Sequence, residues 1–158
     1  MSVSNVLMFT SAGFIIPCCV FSQHLPSYLK ALLFMNSSLS VLFWANPVQH
    51  STIHKIDRLV ARSTVISFMV YNILKNRKTL VIFFMCVTLV LFSLYLSNHF
   101  SIGINQWGSK EHVFAHGFAH VFGIIGIYAT CLSSVESFSS TFSYDPFSYD
   151  PFSYDHLF

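Results

Sequence analysis

Long apolar runs separated by short polar breaks predict five membrane-spanning helices. The runs cover residues 5–22, 28–45, 56–74, 79–97 and 112–132. Each is close to the roughly 20 apolar residues that a helix needs to cross the hydrocarbon core of a bilayer. Pro17 interrupts the first run, so we expect a kinked or short helix there. The pattern therefore predicts an all-α polytopic transmembrane helical bundle of about five helices, which forms one domain over residues 1–132.

Residues 133–158 differ in character from the rest of the chain. They carry a pentapeptide three times in tandem, as FSYDP at 142–146 and 147–151 and as FSYDH at 152–156. A period of five matches neither a strand nor a helix, and proline in two copies prevents regular hydrogen bonding. We expect a low-complexity, disordered tail.

Composition supports the membrane assignment. Hydrophobic residues make up 54% of the chain and charged residues only 9%, whereas soluble domains carry roughly 25% charged residues. The expected partner is the lipid bilayer, as for a multi-pass integral membrane protein. A formal net charge of +2 argues against a nucleic-acid partner. Five spans make a small bundle, so a homo-oligomer that completes it is a further expectation.

Two clusters of histidines contain the candidate functional residues. His112, His116 and His120 are spaced four apart, which places them on one face of the last helix. His50, His54 and Asp57 are expected on one face of the third helix. The chain crosses the bilayer twice between the two clusters, so both should lie on the same side of the membrane. Imidazoles are costly in hydrocarbon and should face a cavity or the protein interior.

Imidazole and carboxylate side chains are typical ligands of catalytic zinc. The candidate metal ligands are His116 and His120 with His54 or His50, and with His112 nearby. Asp57 would be a ligand or would orient a histidine. Zinc-bound water is a nucleophile near neutral pH, and a site in a membrane bundle would meet lipid amides or esters as substrates.

Other interpretations of the same residues remain open. Two histidines from different helices, for example His54 and His116, would ligate a b-type haem. A line of histidines and an aspartate is also typical of proton or ion movement. Finally, the polar residues of a small non-enzymatic membrane protein would serve only helix packing.

The late pair His116-Gly-Phe-Ala-His120, the earlier Asp57 and the serine of Ser40-Val-Leu-Phe-Trp44 resemble motifs of a membrane-integral hydrolase superfamily. That superfamily includes the alkaline ceramidases, the progestin/adipoQ receptors and haemolysin III. Its pattern is Ser-x-x-x-His, then Asp, then His-x-x-x-His, holding zinc in seven spans. Trp44 stands here where the first histidine is expected. The resemblance implies a zinc-dependent hydrolase with Asp57 and Ser40 as catalytic residues near the metal-bound water.

Overall fold

A computed structural model of the chain describes residues 3–21, 23–75, 77–100 and 109–142. Within these ranges the chain is helical and contains no strand. The six α-helices are α1 (Val3–Ala12), α2 (Ile15–Val20), α3 (Ser27–Ala45), α4 (Thr52–Lys75), α5 (Leu80–Phe100) and α6 (Lys110–Phe142), with a 3₁₀ turn at Arg77–Thr79 before α5. The prediction of an all-α fold is confirmed.

Among the described residues, three helical segments are long and apolar enough to cross a membrane. They are Ser27–Ala45, Arg77–His99 and Lys110–Val135, and they match the predicted second, fourth and fifth spans. The first predicted span corresponds to a shorter apolar segment, Asn5–Val20. Much of α5 faces outward with apolar side chains, such as Val81 at 69% exposure. An apolar surface of this extent suits contact with lipid.

The first apolar segment is broken at Gly13 and Phe14 and not at Pro17. Both residues form a turn between α1 and α2, whereas Pro17 lies in the first turn of α2. A proline is tolerated there because the first amide groups of a helix have no partner within it. Gly13 also packs closely, since a Cβ at this position would lie 2.8 Å from Cδ1 of Ile124.

Helix α6 extends further than the hydrophobic pattern predicts. It begins at Lys110 and continues to Phe142, so its last turns include residues that the sequence assigned to the tail. The pentapeptide repeats from residue 143 onward lie outside the described residues, and the prediction of a disordered tail stays a prediction.

Helix α4 buries one of its faces in the core of the bundle. The buried residues of α4 recur every three or four positions, as expected for one helix face, and are His54, Asp57, Val60, Thr64, Phe68 and Asn72. Helix α5 packs closely against α6, and a Cβ at Gly126 of α6 would lie 3.0 Å from Cβ of Cys86. Helix α3 contacts α1 on one side and α4 on the other.

A hydrogen-bonded group near the end of α4 fixes the helices at one end of the bundle. The side-chain amide of Asn72 donates to Oγ1 of Thr130 over 2.9 Å. Its Oδ1 accepts from the hydroxyl of Thr79 over 2.8 Å. These two bonds join α4, the 3₁₀ turn and α6.

Candidate functional site

A cavity of about 300 Å³ lies between the helices and collects most of the residues that the sequence singled out. Its polar lining residues include Ser40, His50, His54, Asp57, Ser97, His112, His116 and His120. Its apolar lining residues include Val65, Phe68, Phe83, Val87, Gly126 and Ile127. The two histidine clusters, from α6 and from the start of α4, therefore line one cavity.

The same capping motif positions one histidine of each cluster, His54 in α4 and His112 in α6. The backbone amide of His54 donates to the hydroxyl of Ser51, and the amide of His112 donates to that of Ser109, each over 3.2 Å. A serine three residues before the bonded amide is a typical helix N-cap. Both helices thus begin with a cap and place an imidazole at the end of the first turn. Sequence reasoning missed this repeated Ser-x-x-His signal.

Ser40 and Asp57 are brought together from α3 and α4. Both side chains are buried, and the Ser40 hydroxyl donates a hydrogen bond to a carboxylate oxygen of Asp57. The resemblance implied that this pair would share one site, and the geometry places the two side chains in contact. No other donor to Asp57 is found among the described residues.

His54 stacks on the ring of Phe43, with centroids 4.6 Å apart. Its Nδ1 accepts a hydrogen bond from the backbone amide of His50 over 3.1 Å, so the neutral ring carries its proton on Nε2. Burial lowers the pKa of His54, and the neighbouring Arg58 and His50 lower it further. The fold therefore holds this imidazole in its neutral form.

The expectation that His50 lies on the helix face of His54 and Asp57 is wrong. His50 precedes α4, has an exposed side chain and adopts φ 63°. Asn46-Pro47 ends α3 and leaves only a short connection to Ser51, and that connection turns through His50. Its side chain still lines the mouth of the cavity.

His112, His116 and His120 form the expected row along α6. Their ring centroids are 6.0 Å apart from the first to the second and 5.1 Å from the second to the third. Trp44 of α3 packs against this row, with its ring centroid 5.1 Å from that of His116. The tryptophan that replaces the superfamily's histidine is therefore part of the same site.

Hydroxyl groups lie beside Nδ1 of His120 and of His116. The Thr10 hydroxyl is 3.0 Å and the Ser11 hydroxyl 3.4 Å from Nδ1 of His120. The Ser97 hydroxyl lies 3.4 Å from Nδ1 of His116 and donates to the carbonyl of His112. Because Nδ1 of each ring contacts a hydroxyl, Nε2 is the nitrogen through which each ring would contact a further group.

The described residues give no evidence for the predicted metal site. No group of three His, Cys, Asp or Glu residues within the described ranges is arranged to hold a metal ion. A metal-ligating imidazole makes a hydrogen bond through its other ring nitrogen, and Nδ1 of His116 and of His120 lies beside a hydroxyl. His54 differs, since its Nδ1 accepts from the backbone amide of His50. The metal site stays a prediction.

Asn36 of α3 also lines the cavity. Its side chain is 4% exposed, and its Oδ1 has no hydrogen-bond partner among the described residues. Arg58 and Arg62 of α4 line the cavity as well. The available signal was the helical spacing of Asn36 and Ser40, which places both on one face of α3.

No protein-family model, curated protein or solved structure matches the chain. The resemblance to the hydrolase superfamily therefore rests on the quoted residues alone.

Proposed function

We propose that this chain is a multi-pass membrane protein that binds a single-chain, lipid-like amphiphile in the cavity. The observation that carries the proposal is a change of polarity along the cavity. On α4 the lining changes from His54 and Asp57 to Val65 and Phe68. The apolar part would take a hydrocarbon chain and the polar part would take its head.

Helices α5 and α6 show the same change from polar to apolar lining residues. Along α6 the lining residues change from polar to apolar, from His112 and His116 to Gly126 and Ile127. Along α5 they change from apolar to polar, from Phe83 to Ser97. Helix α5 runs antiparallel to α6, so the polar ends coincide. Three helices that agree in this way define a polar and an apolar end of a single cavity.

The dimensions of the cavity suit one chain. Its volume of about 300 Å³ lies at the lower limit of ligand pockets, which are roughly 300–1,000 Å³. Asp57 and Phe68 are separated by eleven residues of α4, or about 16 Å along the helix axis. A narrow cavity of this length fits a single acyl chain better than a two-chain lipid.

In the proposed topology, α4 and the α1–α2 segment cross the bilayer beside the three apolar spans. The basic residues Lys55, Arg58 and Arg62 lie in the first half of α4, where long side chains can reach the headgroups. The second half, from residue 63, is largely apolar. The polar end of the cavity would then lie near the headgroups, where an amphiphile enters.

Photo-crosslinking tests the proposal on the detergent-purified full chain. The probe is a single-chain fatty acid that carries a diazirine on its hydrocarbon chain. We expect labelled peptides from α4 and α6. Ala61 lines the cavity, so Ala61→Phe should reduce their labelling several-fold. The matched control Ala31→Phe, at an exposed position of α3, should label like the wild type. Equal labelling of all three proteins would refute the proposal.

A second candidate function is zinc-dependent hydrolysis of the ester or amide of such an amphiphile. The hydroxyls beside Nδ1 of His116 and of His120 favour it, because these two residues would then hold the ion through Nε2. A zinc ion in this place would supply a water nucleophile near neutral pH. Asp57, held by Ser40, would accept a proton beside it.

Elemental analysis tests the second candidate. Purified protein should contain about one zinc per chain, and His116→Ala/His120→Ala should contain none. His24→Ala, which changes a histidine that does not line the cavity, is the control. Zinc content that is absent, or unchanged by the double substitution, would eliminate the hydrolase and leave amphiphile binding standing.

A further inference from the structure

Two arginines in the first half of α4 bring positive charge to the cavity. Arg58 and Arg62 both line it, and their spacing of four places them on one helix face, about 6 Å apart along the axis. Both side chains are also exposed. The two guanidinium groups can therefore contact a ligand in the cavity as well as one that enters it from outside.

The charge of these arginines is not neutralised by the acidic residue beside them. Asp57 is the one acidic residue among the described residues that line the cavity. It is buried, and its carboxylate accepts the hydrogen bond from Ser40 of α3. No ion pair of Arg58 or Arg62 is found with another described residue. Two arginines and one aspartate give the lining a net positive charge, which attracts an anionic head and repels an ammonium head.

The arginines lie close to the point at which the lining of α4 becomes apolar. Val65 lines the cavity three residues after Arg62, about 4.5 Å further along the axis, and Phe68 follows within one turn. Side chains on a helix tilt towards its N-terminus, which is the polar end of α4. An amphiphile whose chain lies beside Val65 and Phe68 would therefore place its head near both guanidinium groups.

We infer that the head of the bound amphiphile is a carboxylate, as in a fatty acid, and that Arg58 and Arg62 bind it. The inference rests on the proposed amphiphile binding and adds the charge and the chemistry of the head. The N–H donors of an arginine form a planar fork that matches the two oxygens of a carboxylate. A carboxylate is also a small head, which suits a cavity of about 300 Å³.

Two photo-crosslinking probes that differ only in the head test this inference. One is the diazirine fatty acid, and the other is its primary amide, which has nearly the same shape and no charge. The concentration for half-maximal labelling of α4 and α6 is measured for each probe on the detergent-purified full chain, in a basic buffer that ionises the acid. We expect the acid to need an about tenfold lower concentration, because hydrogen bonds between charged groups are stronger than those to a neutral amide.

Replacing both arginines by glutamine provides the second comparison. Arg58→Gln/Arg62→Gln keeps polar side chains and removes both charges, and thermal unfolding in the same detergent shows whether the variant is folded. The preference for the acid should fall to about threefold or less, with intermediate values for the two single variants. Lys55→Gln is the matched control, because it removes a charge from the same helix at a position that does not line the cavity. It should retain the preference of the wild type.

The outcomes separate this inference from the function it rests on. If acid and amide label α4 and α6 equally well in the wild type, the inference fails while amphiphile binding stands. A preference that survives in Arg58→Gln/Arg62→Gln, or falls as much in Lys55→Gln, overturns the assignment of the two arginines. If the double variant does not fold, an unchanged preference in both single variants overturns it instead. If neither probe labels α4 or α6, amphiphile binding itself fails.

Discussion

Replacing Ser40 by alanine should destabilise the fold more than any other serine-to-alanine change in α3. The Ser40 hydroxyl donates to Asp57, and both side chains are at least nine-tenths buried. Ser40→Ala removes the donor and leaves the carboxylate in place. Asp57 has no second donor among the described residues, so its buried charge loses its compensation.

The size of the effect follows from the charge of the acceptor. Hydrogen bonds to charged groups contribute about 1.5–3 kcal/mol, against about 0.5–1.5 kcal/mol for neutral pairs. For chains of this size 1 kcal/mol corresponds to a change of about 2–4 °C in Tm. Ser40→Ala should therefore lower Tm by about 3–12 °C. Ser38→Ala, which removes a half-buried hydroxyl of the same helix, should remain within about 0.5 kcal/mol of the wild type.

A double-mutant cycle isolates the interaction from the loss of the serine itself. The four proteins are the wild type, Ser40→Ala, Asp57→Leu and the double variant, each followed by thermal unfolding in the same detergent. In the Asp57→Leu background the Ser40 hydroxyl has no carboxylate to bind, so its removal should cost little. We expect a coupling free energy of about 1–2.5 kcal/mol.

Two results would refute this reasoning. A coupling free energy near zero would show that the Ser40–Asp57 contact does not stabilise the fold. Equal losses in Ser40→Ala and Ser38→Ala would show that the carboxylate is compensated in some other way. Either result would also remove the support that this pair gives to the hydrolase candidate.

Three further predictions concern packing, the polar group near the end of α4 and pH. Gly126→Ala should cost about 1–3 kcal/mol in thermal unfolding, because the new Cβ would lie 3.0 Å from Cβ of Cys86. Gly117→Ala, whose Cβ would lie 3.7 Å from the nearest side chain, should remain within about 0.5 kcal/mol. Asn72→Leu should lower the free energy of unfolding by about 1–3 kcal/mol, because it removes the two buried hydrogen bonds that Asn72 makes with Thr130 and with Thr79. Because folding lowers the pKa of His54, the unfolded chain binds more protons at this residue than the folded chain does. The contribution of His54 to stability is therefore present above pH 6.5 and is lost as the pH falls towards its lowered pKa. His54→Gln should therefore show a weaker loss of Tm on acidification than the wild type, and parallel pH profiles would contradict the assignment.

The parts of the fold that sequence could predict are those determined by local spacing. The length of the apolar runs at 79–97 and 112–132 predicts one helix each, so α5 and the apolar part of α6 were predicted closely. The spacing of four in the histidine row determines one helix face. Because successive long helices run in opposite directions, the two histidine clusters lie at the same end of the bundle, where both line the cavity.

The remaining features of the site depend on contacts between residues distant in sequence. The hydroxyl at 3.0 Å from Nδ1 of His120 comes from Thr10, which is 110 positions away. The missing partner of Asn36 is likewise a property of the assembled helices. His50 was misplaced because helix spacing was extended through a connection that Asn46-Pro47 had already interrupted. None of these features produces a periodic pattern in the sequence.

Helix α4 shows why hydropathy and site assignment disagree in this protein. It is not among the segments apolar enough to cross a membrane, because it carries polar and charged residues such as Asp57, Arg58 and Arg62. The structure turns Asp57 inward to Ser40, and both arginines line the mouth of the cavity. The residues that lower the hydropathy of α4 are therefore the ones that make one end of the cavity polar. A helix that lines a polar cavity cannot also be uniformly apolar, so α4 loses its hydropathy signal because it contributes to the site.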